Sequence, residues 1–260
     1  MLVRVILGVL LASSIALVAR RTRSLSSSGA VVATIVGTIA IAAGWSWGAL
    51  LILYFATSTA LSHLGRATKE LRTATIVAKG GERDAVQVLA NGALFTGAAL
   101  AMLLHPNVQW LALGAGSLAA SAADTWATEI GTLYGGRPRS LLTRKVVPVG
   151  TSGGISLVGT AAAVAGAVFI AVIAVLLGWS PIVGRCVALG GIAGAMLDSM
   201  LGASVQARRW CESCKCETER QVHDCGATTV WRRGLHWLDN DIVNFISSAG
   251  GGLLAAVLSR

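Results

Sequence analysis

Long apolar runs separated by short basic segments dominate the chain. Runs of about 18 to 24 residues, enough to cross roughly 30 Å of hydrocarbon at helical rise, occupy residues 2–19, 28–44, 47–64, 85–104, 108–130, 154–178, 182–205 and 238–258. They predict eight transmembrane helices. The first run is followed by Arg20-Arg21-Thr22-Arg23 with no small-residue cleavage site before it, so it reads as an uncleaved anchor and not as a signal peptide.

Composition agrees with a membrane protein: 54% of residues are hydrophobic, 13% are charged, and the mean hydropathy is +0.70, outside the range of soluble domains. The net charge of +9 is distributed unevenly. The segments after the first, third, fifth and seventh runs hold 18 basic residues, whereas the opposite side holds only Arg4, Arg185 and Arg260. The positive-inside rule therefore places residues 66–84, 131–152 and 206–237 in the cytoplasm and both termini outside.

Short matches suggest an internal repeat. Ser28-Gly29 followed by Val36-Gly37-Thr38 recurs as Ser152-Gly153 followed by Val158-Gly159-Thr160, and Gly44-Trp45-Ser46 recurs as Gly178-Trp179-Ser180. Asp84-Ala85-Val86-Gln87 matches Asp241-Ile242-Val243-Asn244. The expected architecture is an all-α membrane protein of about eight helices in two parallel four-helix repeats, residues 1–104 and 105–260.

Six of the twelve acidic residues, Asp84, Asp124, Glu129, Asp198, Asp239 and Asp241, lie where apolar runs meet the basic face. Carboxylates at membrane depth cost roughly 2.5 kcal/mol or more unless paired, solvated or bound to a cation, so their convergence on one level suggests a site. Asp124, flanked by alanines, shares a helical face with Thr128, with Glu129 beside it. Asp198-Ser199 is a second acid-hydroxyl step on an apolar helix. Such hard oxygen donors suit Mg²⁺ together with phosphate oxygens and water. The alternative for Asp124 and Asp198 is a hydrogen-bonded lock between helices. Asp241 and Asn244 share one face of the last helix, as Asp84 and Gln87 do on the fourth, with Asn91 one turn deeper. Asp239 stands nearer the loop, where it would cap the helix.

Two further segments carry candidate chemistry. Gly150-Thr151-Ser152-Gly153-Gly154 leads into the sixth run and would form an anion cradle from close backbone approach, hydroxyls and a helix start, with Arg139, Arg144 and Lys145 within reach of the same anion. Capping and tight helix packing would explain the same residues without a ligand. Cys211, Cys214, His223 and Cys225, with Cys216 spare, make a tetrahedral Zn²⁺ set in the 206–237 insertion; cytoplasmic thiols stay reduced, so ligation is expected over a disulfide.

The segments Ala123-Asp124-Thr125-Trp126-Ala127-Thr128-Glu129-Ile130-Gly131, Gly150 to Gly154, Asp198-Ser199-x-Leu201-Gly202-Ala203, Asn240-Asp241-x-Val243-Asn244 and Lys79-Gly80-Gly81-x-Arg83-Asp84 resemble those of the integral-membrane phytyl-phosphate kinase family, long catalogued as a domain of unknown function. The resemblance spans nearly the whole chain. It implies nucleotide-dependent phosphorylation of an isoprenoid or phytyl monophosphate to the diphosphate at the cytoplasmic face, with CTP as donor. On that reading Asp124, Asp198 and Asp241 would hold Mg²⁺, the glycine loop would cradle the donor phosphates, and Lys79, Arg83, Arg144 and Lys145 would clamp phosphate. Zn²⁺ would be structural. The expected partners are a nucleoside triphosphate, a prenyl monophosphate and membrane lipid, without nucleic acid; a homodimer is compatible with the pattern. The competing class is a secondary transporter, which carboxylates and parallel repeats also fit, although transport sites favour the bilayer midplane over one face.

Overall fold

The computed structural model describes residues 1–260 as a helical bundle with a small β-module at one end. Eight helices of 17 residues or more coincide with the eight apolar runs: α1 (Leu2–Arg21), α2 (Ser27–Ala43), α3 (Trp45–His63), α5 (Ala85–Leu104), α6 (Val108–Tyr134), α7 (Leu157–Leu176), α8 (Pro181–Ser204) and α9 (Asn240–Leu258). Between α3 and α5 lies the short basic helix α4 (Arg66–Thr73), bent 72° from α3. Residues 66–84, expected to be loop, are therefore partly helical.

The eight helices differ in length and apolarity. Five helices, α1, α5, α7, α8 and α9, are each long and apolar enough to cross a membrane, and a sixth is added if α3 and α4 form one broken span. Helix α2 has only 17 residues. Helix α6 has 27, but Ser, Thr, Asp and Glu dilute its apolarity. Its position explains how that is tolerated. Residues 112–123 are all buried, enclosed by α5, α7, α8 and α9, so this helix meets protein where a peripheral helix would meet lipid. By contrast α1 and α7 expose Leu, Ile and Val along their outer faces.

Small residues let the inner helices approach closely, which is how packing is gained where lipid removes the hydrophobic drive between helices. A Cβ on Gly190 of α8 would come within 2.4 Å of the Gly251 carbonyl oxygen of α9, so a larger residue would force the helices apart. At the end of the bundle away from the β-module Trp47 stacks at a tilt on Phe95 and Trp179, with ring centroids 5.2 and 5.4 Å away, and joins α3, α5 and the turn before α8 into one core.

At the polar end, β1 (Arg139–Ser140) pairs antiparallel with β2 (Gly154–Ile155). Strands β3 (Arg208–Cys211), β4 (Cys216–Thr218) and β5 (Val230–Arg233) form a three-stranded sheet in the order β4-β3-β5. Helix α7 begins at Leu157, capped by Ser156, so the residues expected to open it at 154 are a strand and a turn.

Candidate functional site

Helix α4 builds the floor of the polar end. Its Lys69 donates to the Leu61 and Ser62 carbonyls of α3 at 2.8 and 2.9 Å and pairs with Glu129. Arg72 donates to the Thr132 and Leu133 carbonyls of α6 at 2.8 and 2.7 Å. Both cations lie at helix C-termini, where free carbonyls and the negative end of the dipole favour a positive charge. Glu129 also accepts from Ser62 at 2.6 Å, and Ser62 accepts from Arg83 at 3.1 Å. Glu129, read as a site residue, is thus compensated within the protein.

Arg83 is held by its backbone: its N–H donates to the Ser24 carbonyl and its carbonyl accepts from Ser26, both at 3.0 Å. Its guanidinium has no acidic partner among the ion pairs.

Asp124 of α6 and Asp198 of α8 are partly buried and close enough to act on one another electrostatically, and Asp124 likewise feels Glu129. Asp198 accepts from Ser247 of α9 at 3.0 Å. Asp124 has no hydrogen-bonding side chain against it. Thr128 is exposed, while Ser199 and Asn244 are partly buried and Asn240 is exposed. Neither carboxylate has a cation paired with it, which is costly at this depth, and hard oxygen donors are the kind a divalent cation takes.

Asp241 lies elsewhere. It is 5% exposed near the start of α9 and pairs at 2.5 Å with Lys79, whose ammonium also reaches Asp84 at 3.0 Å. Burial alone would depress Lys79, but the hydrogen bonds from Asp241 and Asp84 outweigh it and hold the ammonium above its ordinary value. Burial likewise acts to raise Asp84, and the Gln87 N–H together with Lys79 draws it below its usual range. Asp84 and Gln87 form a reciprocal capping box at 2.9 and 3.1 Å, and Asn91 donates to the Gln87 carbonyl at 3.0 Å. In α9 the corresponding cap is Asp239, which accepts from Ile242 at 3.0 Å. The three aspartates read as one metal set therefore fall into two places: Asp124 with Asp198, and Asp241 with Lys79.

The glycine loop packs against the end of α8 and does not open a helix. Gly153 takes φ +73°, and a Cβ there would meet the Ala203 nitrogen at 2.3 Å, so glycine is required twice over. The Ser152 hydroxyl donates to Glu219, Gln206 donates to both groups at 3.1 and 3.0 Å, and Arg208 donates to the Ser152 carbonyl. Burial pushes Glu219 up, partly offset by Ser152 and Arg208, and burial pulls Arg208 down. Arg144 and Lys145 sit exposed on the turn between β1 and the loop, where Arg139 donates to the Arg144 carbonyl at 3.0 Å.

Cys211, Cys214, His223 and Cys225 bring their ligand atoms within 4.8 Å of one another. Sγ of Cys211 and Cys225 stand 3.6 Å apart, close to the edge of a tetrahedron with about 2.3 Å metal–sulfur bonds, so the set fits zinc. The Ala227 N–H and His223 draw Cys225 down to about 6, toward the thiolate that ligation needs. Cys216 Sγ contacts the other ring nitrogen of His223, Nε2, at 3.6 Å, while Nδ1 faces Cys225. The module also reaches beyond itself. Glu219 N–H and the Thr218 hydroxyl both donate to the Ile76 carbonyl, at 2.9 and 3.3 Å, and Arg220 donates to the Val77 carbonyl at 2.8 Å.

The sequence model of one family, described as integral membrane protein DUF92, matches residues 10–252 of the chain. The chain belongs to that family. It is 30% identical to "Protein PGR" of Arabidopsis thaliana over 98% of this chain and 96% of the relative. It is 28% identical to "Uncharacterized membrane protein MJ0933" of Methanocaldococcus jannaschii over 99% of this chain and 95% of the relative. "Protein VTE6, chloroplastic" of Arabidopsis thaliana is 30% identical over 91% of this chain and 66% of its own length. No solved structure matches. For this DUF92 chain, four contributors at the polar end escaped sequence reasoning: Lys69, Arg72, Ser62 and Ser247. Each acts by reaching another helix, a contact that spacing along one helix does not encode.

Proposed function

We propose that the chain is a membrane phosphotransferase, a kinase that uses a nucleoside triphosphate, CTP by the motif resemblance, to convert an isoprenoid or phytyl monophosphate to the diphosphate at the cytoplasmic membrane face. The observation that carries this reading is a mismatch of charges toward the polar end of the bundle: Asp124 and Asp198 have no cation paired with them, and Arg83 has no acidic partner. Family membership and the 30% identity to Protein VTE6 support it. Phosphoryl transfer asks mainly for positioning and charge neutralisation, and an acceptor that is already an anion needs no strong base. Asp124 and Asp198 would hold Mg²⁺, which when bound neutralises donor phosphate charge. Arg83 would hold the acceptor phosphate, and the Cys211, Cys214, His223 and Cys225 set would hold structural Zn²⁺. The glycine loop, with the Thr151 hydroxyl, would face the nucleotide. Lys79 would bind phosphate only by giving up Asp84 and Asp241, so its first role is structural.

The test is Mg²⁺-dependent transfer of the γ-phosphate by purified protein from each of four nucleoside triphosphates to phytyl, farnesyl and geranylgeranyl phosphate. Diphosphate formation with at least one pair supports the proposal. Absence of transfer with all, alongside substrate flux into liposomes without nucleotide hydrolysis, would replace it with a transporter.

A further inference from the structure

One cavity is left unused by the carboxylate site. It runs between α1, α2, α3 and α5 and encloses about 890 Å³ of free space including its mouth. Its inner walls are aliphatic and aromatic, among them Ala16, Ile41, Leu51 and Phe55. At the polar end the lining changes to Arg83, Gln87, Asn91 and Thr125. Gly48 of α3 marks the inner end, and Arg83 contacts Ser62 of the same helix. The 14 residues between them correspond to about 21 Å of helix rise. That length matches one extended apolar chain.

Two observations indicate what fills it. Arg83, backbone-clamped to the start of α2, brings a guanidinium free of acidic partners to the polar end of the lining, and the Gln87 amide N–H groups and the second N–H of the Asn91 amide remain available beside it. That mouth is complementary to an anion, and the slot behind it to an apolar chain. Gly92 supplies the other observation. It is buried in the middle of α5, yet an added Cβ would meet nothing nearer than Val36 Cγ1 at 3.9 Å. Alanine would fit and would strengthen the helix, so close packing does not account for this glycine. The space it leaves belongs to the cavity.

We propose that this cavity is the binding site for the acceptor lipid, a single apolar chain of isoprenoid type with its terminal phosphate held by Arg83, Gln87 and Asn91. Chain length is then read by how far the slot extends past Gly92 toward Gly48. The choice of a single isoprenoid chain and of a phosphate head rests on the kinase reading above; the apolar slot with its anion-complementary mouth does not.

The test measures binding without nucleotide, by native mass spectrometry of detergent-solubilised protein with geranylgeranyl phosphate, dimethylallyl phosphate and oleate. Gly92→Leu, and independently Ala33→Leu across the slot, should each weaken geranylgeranyl phosphate at least about tenfold while leaving dimethylallyl phosphate and the melting temperature unchanged. Arg83→Gln should weaken both phosphates. Unchanged geranylgeranyl phosphate binding in both folded plug variants would overturn the assignment, and oleate binding as tightly as geranylgeranyl phosphate would place a fatty acid there and overturn the acceptor role. The two proposals fail separately. Plug-sensitive binding with no transfer from any nucleotide removes the kinase and keeps the lipid site, whereas transfer untouched by either plug keeps the kinase and removes the site.

Discussion

Replacing Lys79 by methionine would leave the Asp241 carboxylate without its cation. The Asp241 side chain is 6% exposed and that of Lys79 46%, so the pair lies between a surface bridge and a buried one. Exposed pairs contribute about 0.2–1 kcal/mol, while breaking a buried pair costs about 3–5 kcal/mol; half-exposure of the lysine discounts the upper figure to about 2. The dipole at the start of α9 favours the orphaned carboxylate by up to about 1 kcal/mol, which leaves a net loss of about 1–2. At about 2–4 °C per kcal/mol, Lys79→Met should melt about 2–8 °C below the wild type in a fixed-rate thermal scan. Lys79→Met combined with Asp241→Asn should recover most of that, because both charges are then gone. The pH dependence has a definite sign. The folded value of Lys79 is raised, so its contribution is complete below its ordinary 10.5 and fades as pH climbs through the raised value. Asp84 is lowered, so its share is present above 3.8 and fades as pH falls through the depressed value. The gap between wild type and variant should be flat through neutrality and close at both extremes. A Lys79→Met protein that melts with the wild type at pH 7, or a double variant no more stable than the single one, would refute the bridge.

Three other outcomes follow from the same geometry. Asp124→Asn and Asp198→Asn should each lower the transfer rate by about 10²–10³ while the melting temperature holds or rises, since each relieves like-charge repulsion; loss of stability with full turnover per folded molecule would make them helix locks. Chelation or Cys214→Ser should remove bound zinc, lower the melting temperature and raise the KM for nucleotide, because Glu219 and Gln206 tie the metal module to Ser152; metal analysis of the wild type showing no zinc would cancel this expectation. The folded value of Glu219 is raised by burial, so stability gained from its protonated form is complete below 4.5 and is lost as pH rises through the raised value. Glu219→Gln should therefore flatten the melting profile above pH 4.5, and a profile identical to the wild type would count against its burial.

The long helices were legible because bilayer-crossing helices must be apolar over a fixed length, and the ligands of the metal module because cysteine and histidine spacing is local. What stayed hidden is contact between elements. Helix α4 reads as a charged loop by composition, and becomes a helix by lying across the ends of α3 and α6, whose carbonyls Lys69 and Arg72 satisfy. The glycines at 150–154 could be read as a helix start, yet Gly153 is dictated by Ala203, about fifty residues away in the chain. Asp241 was recognisable as an unusual acid, but its partner Lys79 lies 162 residues earlier, and only folding reveals that it is neutralised.

The bonds from Thr218, Glu219 and Arg220 to Ile76, Val77 and Ser152 also fix an order of assembly. During synthesis the amino-terminal helices emerge first, so the segments around 76 and 152 wait at the membrane surface until residues 208–225 follow them. On the proposed zinc ligation so small a module would gain its fold from the metal, and those segments would take their final positions only once it arrives. Completion of the polar end would then be a late, metal-gated step in biogenesis, and a cell short of that metal would accumulate inserted chains whose helices are in place and whose surface loops are not.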